Sequence, residues 1–305
     1  MAILPKKAMI LAAGLGTRLR PYTLARPKPL FPVLDTPLLG LILRQVQAAG
    51  FGPVVINAYH LAGQIVAAFQ QEPEVILQVE TKEMGTGGGL RLAWPHFDQG
   101  PVLIVNGDVV HNLDLAWVYA EHLRAGNQVT MVMHDHPRFN TVRVAPDGRI
   151  TGFAAAGETV APGERLLAFT GIHVVAPEVL APIPPGTFYN IIDCYRDLIT
   201  AGGRIGALTV QGHFWTDMGT PADYLALHGR LLAGEAPPSL PGLPPIAGPV
   251  YQGQAVRVGK GVRFDDWVAI GSHAMIGDHT QLSRVVVWDG AVVPAGTVAV
   301  DAILT

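Results

Sequence analysis

The residues that could do chemistry begin with a glycine-rich segment that carries two cations. The string Leu11-Ala-Ala-Gly-Leu-Gly-Thr-Arg-Leu-Arg-Pro21 follows an apolar run directly, and Lys28 lies a few residues beyond it. Glycines in such a turn expose backbone N–H groups, which can bind a phosphate chain. Arg18 offers a planar fork and Lys28 a point charge, so one loop could present both to a polyphosphate. The pattern predicts a phosphate site, in preference to a glycine turn with surface cations.

Two aspartates could hold a metal ion for the same chemistry. Asp108 closes an apolar run, and Asp217 comes just before the start of a capped helix. Functional groups of open α/β sheets lie beyond the carboxyl ends of the strands. Mg²⁺ prefers hard carboxylate oxygens together with phosphates. We therefore predict that Asp108 and Asp217 are metal ligands; the alternative is that each is an ordinary turn residue.

The charge distribution supports a focused anion site. The 305-residue chain has a formal net charge of −3, yet residues 1–34 hold six basic residues and no acidic one. Local positive charge in an acidic protein attracts anions. Because these cations stand among Leu, Pro and Gly, a folded pocket is favoured over an arm that binds nucleic acid.

Composition bounds the class of protein. Hydrophobic residues make up 49% of the chain and charged residues 15%, which excludes disorder over most of the length. The single Cys194 excludes a disulfide framework and a cysteine-based zinc cluster. No apolar run reaches the roughly 18–20 residues that span a bilayer. A cytoplasmic protein without membrane or nucleic-acid partners is expected.

Apolar patterning predicts an α/β fold for residues 1–233. Short apolar runs typical of buried strands alternate with segments of helical spacing, which indicates a doubly wound, mostly parallel, Rossmann-like sheet. The strands are expected at 8–13, 54–57, 75–79, 102–105, 129–133 and 169–175, and the helices at 38–49, 61–69, 115–125, 189–201 and 221–233. A hairpin is expected at 141–153, with a turn at Asp147-Gly148.

The C-terminal part has a different period. Six prolines in 234–249 predict a linker, and small or β-branched residues then recur every six positions. They stand at 250, 256, 262, 268, 274, 280, 286, 292 and 298. This period predicts a short β-helix over 250–305, in preference to a β-meander. Its exposed coil ends make a homo-oligomer plausible, and deleting residues 245–305 is expected to leave the catalytic part active.

The motifs together resemble the sugar-1-phosphate nucleotidylyltransferases. They occur in matching order over about 225 residues. They are the glycine string above, Pro27-Lys-Pro-Leu30, the glycine loop Gly85-Thr-Gly-Gly-Gly89, Asn106-Gly-Asp108 and Trp215-Thr-Asp-Met-Gly-Thr-Pro221. The tail resembles the left-handed β-helix of the mannose-1-phosphate guanylyltransferase branch. The loop at 85–89 resembles that of N-acetylmuramate-1-phosphate uridylyltransferase or heptose-1-phosphate guanylyltransferases.

This resemblance implies a role for each matching position. It makes Arg18, Lys28 and Asp108 catalytic, with Mg²⁺ held by Asp108 and Asp217. The nucleotide-binding residues that it implies are Leu11, Ala12, Ala13, Gly14, Gly16, Thr17, Arg18, Glu80, Gly87 and Gly88. The sugar-phosphate residues are Lys28, with Thr170, Gly171 and Asn190 taken from position alone, because the Glu-Lys-Pro of many members is missing between Met131 and Phe153.

The reaction implied is transfer of a nucleotidyl group from an NTP to a sugar 1-phosphate, giving an NDP-sugar and pyrophosphate. The expected pairs are GTP with mannose- or heptose-1-phosphate, or UTP with N-acetylmuramate-1-phosphate. The alternative is a regulatory subunit that binds a nucleotide-sugar without making it. Such proteins typically lose a metal carboxylate or the phosphate Arg, and this chain keeps all four residues at 18, 28, 108 and 217.

Overall fold

The computed structural model describes residues 6–97, 100–154, 158–235 and 240–305. Part of the predicted linker, 236–239, lies outside the described residues. The strands are β1 (Lys6–Leu11), β2 (Pro32–Val33), β3 (Thr36–Pro37), β4 (Phe51–Ala58), β5 (Val75–Val79), β6 (Val102–Asn106), β7 (Val109–His111), β8 (Val129–His134), β9 (Asn140–Val144), β10 (Ile150–Phe153), β11 (Arg165–Val175), β12 (Ile205–Thr209), β13 (Trp215–Asp217), β14 (Val250–Gln252), β15 (Arg257–Val258), β16 (Arg263–Ile270), β17 (Met275–Ile276), β18 (Gln281–Val287), β19 (Val292–Val293) and β20 (Val298–Leu304). The α-helices are α1 (Leu38–Ala48), α2 (Ala62–Phe69), α3 (Gly85–Ala93), α4 (Leu115–Ala125), α5 (Ile191–Thr200) and α6 (Pro221–Arg230).

The chain forms two compact units that do not follow the sequence order. The first unit holds the chain up to Gly14 together with Val46–Val109 and Leu113–His213. The second unit holds Leu15–Gln45, Val110–Asn112 and Phe214–Thr305. The second unit therefore contains the cationic part of the glycine-rich segment as well as the C-terminal repeats. The domain boundaries expected at 233 and 250 stay a prediction.

The first unit is built on a nine-stranded sheet in the order β10-β9-β11-β6-β1-β4-β5, with β8 pairing with both β11 and β12. Strand β1 runs parallel to β4 and β6. Among the strand pairs that the structure describes in this sheet, those that involve β9, β10 and β11 are antiparallel. The prediction of a mostly parallel α/β sheet is confirmed. The hairpin β9-β10 also forms at the expected place.

The continuous apolar runs form the middle of this sheet. Met9 in β1, Ile104 in β6 and Met131 in β8 have no exposed surface, because helices or strands cover both faces of a largely parallel sheet. Leu11 lies opposite Asn57 of β4 and Asn106 of β6. The polar residues that follow the apolar runs are thus brought to the same sheet edge.

One glycine-rich segment folds differently from the expectation. The sequence predicts a loop at residues 85–89, yet they form the first turns of α3. Glycine has a low intrinsic helix propensity, so packing must decide here. A Cβ on Gly87 would lie 3.1 Å from the carbonyl oxygen of Tyr189, and one on Gly89 would lie 2.8 Å from Glu80 Oε1. The glycines therefore allow a close approach of α3 to its neighbours.

The C-terminal repeats of the second unit form two stacks of parallel strands, β14-β16-β18-β20 and β15-β17-β19. This arrangement is typical of a β-helix coil. Val268 lies eighteen residues from its partner Val250 but seventeen from Val285. The six-residue period is therefore one residue short between Thr280 and Val285, and again before Ala302, which lies seventeen residues beyond its partner Val285. We call residues 250–305 the C-terminal coil; its left hand stays a prediction.

These short turns displace the six-residue pattern in the last part of the C-terminal coil. Val292 and Val298 continue the count of six from Val250, yet they are 63% and 69% exposed. Of the residues one place earlier, Ala291 is buried and Thr297 is half-buried. Among the described residues, no helix combines the length and the apolarity that crossing a bilayer requires.

Candidate active site

The nucleotide-binding residues expected in the first unit begin where β1 ends. The backbone N–H of Ala12 donates to Asn57 Oδ1 at 2.7 Å, and the Asn57 amide donates to Glu80 Oε1 at 2.7 Å. All three residues are buried. Gly14 follows in an exposed position, and a Cβ there would meet no atom within 4 Å, so its backbone is open to an approaching phosphate.

Glu80 is buried, and its carboxylate accepts hydrogen bonds from neighbouring residues. Its side chain is 4% exposed, and burial raises the pKa of its carboxyl, while hydrogen bonds from Asn57, the Met84 backbone and Gln78 oppose that rise. The first effect outweighs the others. Glu80 thus fixes the Asn57 amide, which in turn fixes the backbone at Ala12. Glu80 therefore acts on the Ala12 backbone through Asn57, and its own contact with a nucleotide stays a prediction.

Asn57 is a functional candidate that the sequence motifs did not reveal. It lies near the end of the apolar run of β4, at the same sheet level as Asn106, which ends β6. The usable signal was a polar amide at the end of a buried strand, where open α/β sheets place functional groups. No motif or spacing distinguishes it from a turn residue.

Gly87 and Gly88 both lie in the first turns of α3 and are buried. Their N–H groups donate to the Tyr189 carbonyl at 2.8 and 3.2 Å. Asn190, next in the chain, is exposed and caps α5 by accepting from the Ile192 N–H at 2.9 Å. The structure therefore brings the two glycines close to Asn190, and their contacts to base and sugar stay predictions.

Asp108 lies in the turn after β6, half-buried. The preceding Gly107 donates its N–H to the Leu11 carbonyl at 2.9 Å, and a Cβ at Gly107 would lie 2.6 Å from that oxygen. Only a glycine allows this approach. It places Asp108 directly beside the end of β1, in the same unit as Ala12.

The two sugar-site expectations on β11 lie next to this turn. Gly171 has a left-handed backbone (φ +83°), and a Cβ there would lie 2.9 Å from the Asn106 amide nitrogen. The Thr170 hydroxyl is fully buried and donates to the Val132 carbonyl at 2.9 Å. Thr170 therefore shapes an irregularity in the strand, and Gly171 lets Asn106 approach it.

The second unit holds the cationic part of the phosphate segment. Residues 15–34 contain three 3-10 turns, Thr17–Leu19, Tyr22–Leu24 and Lys28–Leu30; we call this segment the cationic loop. Gly16 lies at its start in the left-handed region (φ +61°), and a Cβ there would lie 2.9 Å from a Thr23 methyl group. Glycine is the residue that such a position favours.

Three expected site residues meet in this unit. Lys28 Nζ lies 3.8 Å from Asp217 Oδ1, and Lys28 is only 7% exposed. A Cβ on Gly219 would lie 2.5 Å from Asp217 Oδ2 and 2.7 Å from Arg18 Nη1. The space left by this missing Cβ lets the carboxylate and the guanidinium approach each other. Arg18, Lys28 and Asp217 thus form one charged group.

The six cations of residues 1–34 do not all join that group. Lys6 lies at the start of β1, with Nζ 5.7 Å from the Phe51 ring centroid. Arg26 donates to Asp289 at 2.5 and 3.1 Å. The charge count therefore overstated the positive charge at the proposed phosphate site. A count along the chain does not show which cations lie at the start of a strand or pair with a carboxylate elsewhere.

His134, which ends β8, and His213, four residues beyond β12, form a separate cluster. His134 Nδ1 lies 3.1 Å from His213 Nε2. Burial, aided by the neighbouring histidines, lowers the pKa of His134 to about 4. Within the described ranges, no group of three or more His, Cys, Asp or Glu side chains is placed to hold a metal ion.

A divalent ion still fits the chemistry of the residues present. Mg²⁺ usually keeps several waters and takes one or two carboxylates plus substrate phosphates, so it does not need a cage of protein ligands. Asp108 and Asp217 both supply hard oxygen donors and are only half-buried. Hard donors of this type suit Mg²⁺ better than zinc, which binds soft thiolate and imidazole ligands readily.

Comparison with known proteins identifies the family of this chain. The nucleotidyl transferase family model matches residues 7–234. The mannose-1-phosphate guanylyltransferase of Mycobacterium tuberculosis is 31% identical over 95% of this chain and 82% of its own length. The N-acetylmuramate alpha-1-phosphate uridylyltransferase of Caulobacter vibrioides is 29% identical over 76% of this chain and 99% of its own.

A solved structure shares the fold. The crystal structure of HddC from Yersinia pseudotuberculosis superposes with a TM-score of 0.61 over 73% of this chain and 97% of its own, at 19% identity. At this identity the match concerns the fold alone. With a family model over more than half of its length and a relative that spans nearly all of it, the chain belongs to the nucleotidyl transferase family.

Proposed function

We propose that the protein transfers the nucleotidyl group of a nucleoside triphosphate to a sugar 1-phosphate and releases pyrophosphate. The observation that carries this proposal is the group of Arg18, Lys28 and Asp217, since it joins two phosphate-binding cations and a carboxylate. The names of the relatives support the choice of acceptor, because those enzymes act on mannose 1-phosphate and N-acetylmuramate 1-phosphate.

In this reaction an oxygen of the sugar phosphate forms a bond to the α-phosphorus. The bond from the α-phosphorus to the bridging oxygen breaks, and pyrophosphate leaves with the electron pair. The nucleophile is already an anion, so no strong general base is needed. The barrier lies in bringing two anions together. Fixed donors lower it, each by about 3–4 kcal/mol where one has been removed from an oxyanion site.

The cationic loop would supply those donors. Arg18 binds the leaving pyrophosphate through its planar fork, which suits two phosphate oxygens. Lys28 binds the α-phosphate and the sugar phosphate as a point charge. Because Lys28 is 7% exposed, its charge is screened less by water than a surface lysine's would be. Asp217, 3.8 Å from Lys28 Nζ, holds that ammonium in place.

A divalent cation belongs to this chemistry, and we propose Mg²⁺. It would be held by Asp108 and Asp217, and when bound it would neutralise phosphate charge and orient the reacting oxygens. On the first unit, the backbone at Ala12, Ala13 and Gly14 binds the nucleotide. Asn57 and Glu80 hold that backbone by the hydrogen bonds described above.

The first substrate pair to test is GTP with mannose 1-phosphate. The relative of that name matches 95% of this chain, which includes the C-terminal coil, whereas the uridylyltransferase of Caulobacter matches 76%. GTP with heptose 1-phosphate and UTP with N-acetylmuramate 1-phosphate follow. The cytoplasm stays the expected location, and self-association through the coil is a prediction that sedimentation can check.

The decisive experiment measures pyrophosphate release with Mg²⁺, each NTP and a panel of sugar 1-phosphates. We expect one pair to be turned over. Asp108→Asn and Lys28→Met should lower kcat by about 10²–10³-fold, the range seen for loss of one oxyanion donor. The control is Asp147→Asn, since Asp147 is exposed in the β9-β10 turn. Nucleotide-sugar binding without release by any pair would instead favour a regulatory subunit.

A further inference from the structure

The cationic loop cannot fix its own shape. Its three 3-10 turns are each three residues long. Each turn has only two or three backbone hydrogen bonds, such as Leu19 N–H to the Gly16 carbonyl and Leu30 N–H to the Pro27 carbonyl. Short 3-10 segments have poor hydrogen-bond geometry, and helical nuclei of this length are unfavourable alone. The positions of Arg18 and Lys28 must therefore depend on what the loop packs against.

The loop packs against one corner of the C-terminal coil within the second unit. The Arg26 guanidinium lies 4.5 Å from the Trp288 ring centroid and donates to both oxygens of Asp289, at 2.5 and 3.1 Å. A two-pronged pair of this kind fixes orientation as well as distance. Burial would raise the pKa of Asp289, but the hydrogen bonds and charge of Arg26 hold that pKa below its usual value.

Aromatic contacts reinforce this corner on both sides of Lys28. The Trp288 ring lies 6.1 Å from that of Tyr22 and 4.8 Å from that of Phe31, centroid to centroid. Phe31 and Tyr224 are fully buried, and their rings meet edge to face at 5.7 Å. One indole thus touches the loop before and after the lysine, and its contact with Phe31 has the edge-to-face geometry that aromatic pairs prefer.

Hydrogen bonds tie the same rings to the loop backbone. Trp288 Nε1 donates to the Tyr224 hydroxyl at 3.2 Å, and that hydroxyl donates to the Pro32 carbonyl at 2.5 Å. The Leu34 N–H donates to His228 Nε2 at 3.0 Å, in a buried setting. The far end of the loop is therefore held by α6 as well as by the coil.

A second coil turn binds the residue that follows the loop. Ser272 donates to Asp35 from its N–H at 2.9 Å and from its hydroxyl at 2.5 Å. Because Ile270 pairs with Val287, Ser272 and Asp289 occupy equivalent places in successive turns. One edge of the coil thus binds Arg26 through a carboxylate and Asp35 through donors.

We propose that the Trp288-Asp289 corner of the C-terminal coil is a positioning element for nucleotidyl transfer, acting through Arg26 on the loop that carries Arg18 and Lys28. This inference rests on the proposed function. It also reverses the expectation that residues 245–305 can be removed without loss of activity, because their removal would expose Phe31 and leave the loop without its support.

The test compares two matched variants of the full chain. Asp289→Asn keeps the shape of the corner but removes the charge that pairs with Arg26. Asp301→Asn removes an equally close pair, Arg284–Asp301 at 2.6 Å, on the same coil but away from the loop. We expect Asp289→Asn to raise KM for the NTP and for pyrophosphate in the reverse reaction about tenfold, whereas Asp301→Asn changes neither; tenfold corresponds to about 1.4 kcal/mol.

Two further measurements separate positioning from simple loss of stability. Arg26→Met and Asp289→Asn should not add in the double variant, since the two residues act as one unit. Backbone hydrogen exchange of residues 15–34 should be faster in Asp289→Asn than in wild type or Asp301→Asn, at similar unfolding midpoints. The proposal would be overturned if Asp289→Asn had the same exchange rates and the same KM values as Asp301→Asn and wild type. Absence of turnover in wild type would contradict the proposed function, while faster exchange would still show that the corner holds the loop.

Discussion

The side-chain amide of Asn57 bridges two parts of the first unit, accepting from the Ala12 N–H and donating to Glu80 Oε1, both at 2.7 Å. Each partner is buried. A buried donor or acceptor that loses its partner keeps its full desolvation cost. The backbone proposed to bind the nucleotide therefore depends on an amide whose own hydrogen bonds are made within the protein.

Asn57→Leu should lower both stability and nucleotide affinity. Leucine has a similar size but leaves the buried Ala12 N–H without its acceptor, at a cost of about 1–3 kcal/mol for an unsatisfied group. Glu80 loses one of its three hydrogen-bond donors and keeps those of Met84 and Gln78. We expect a lower urea midpoint and a raised KM for the NTP. Asn112→Leu is the comparison, since Asn112 accepts from the Phe214 N–H in the other unit. That variant should lose stability without a selective change in KM, and an unchanged KM in Asn57→Leu would contradict the bridging role.

Glu80→Gln should change how stability depends on pH. Burial raises the pKa of Glu80 in the folded state. The stability that a protonated Glu80 contributes is therefore complete below its unfolded pKa and is lost as the pH rises through the folded pKa. The glutamine side chain of the variant cannot ionise but can still accept from Asn57. Wild type should thus lose stability relative to Glu80→Gln as the pH rises above the ordinary glutamate value of 4.5, measured by urea midpoints.

The control for this prediction is Glu121→Gln, which should behave in the opposite way. Hydrogen bonds from Arg124 lower the pKa of Glu121, so its contribution is present above the unfolded pKa and is lost as the pH falls. A constant difference between wild type and Glu80→Gln over the whole range would show that Glu80 titrates normally.

Gly219→Ala should reduce activity while the fold survives. The added Cβ would lie 2.5 Å from Asp217 Oδ2 and 2.7 Å from Arg18 Nη1, both at the ends of side chains. These groups can move apart, so the loss is one of geometry, and a displacement of about 1 Å can cost about 10²-fold in rate. Pyrophosphate release measures the effect. Gly248→Ala is the matched control, because a Cβ there meets no atom within 4 Å.

Local sequence patterns were sufficient to predict the strands and helices that interactions between residues close in sequence determine. The apolar runs before Leu11 and Asn106 indicate buried parallel strands, and the Thr220 cap indicates the start of α6. The glycines of residues 85–89 favour a loop because a helix of glycines gains nothing from propensity. Their helix depends on contacts with Tyr189, about a hundred residues away in sequence.

The sequence patterns also did not reveal what supports the cationic loop, because that support comes from residues far away in the chain. Arg26 and Asp289 are separated by 263 residues, and their pairing belongs to no motif. The period of six also fails from the turn near Arg284 onward. There, a left-handed residue (φ +53°) accompanies a shorter side of the coil. A periodic count assumes an equal number of residues on every side of the coil. One shorter side therefore shifts every later residue relative to the count.

Acid should destabilise the protein through its buried histidines. Burial lowers the pKa of His173 to about 3 and that of His228 to about 4, and both side chains are at most 1% exposed. Their neutral forms are stabilising above the unfolded pKa of about 6.5, and this contribution is lost as the pH falls. Each histidine should cost about 1.4 kcal/mol per pH unit below that value. His228→Gln can keep the bonds to Leu34 and Tyr224, so its urea midpoint should fall less than that of wild type between about pH 7.5 and 5.5. His96→Gln, at an exposed position, should follow wild type, and parallel curves for all three proteins would rule out His228 as a source of the acid sensitivity.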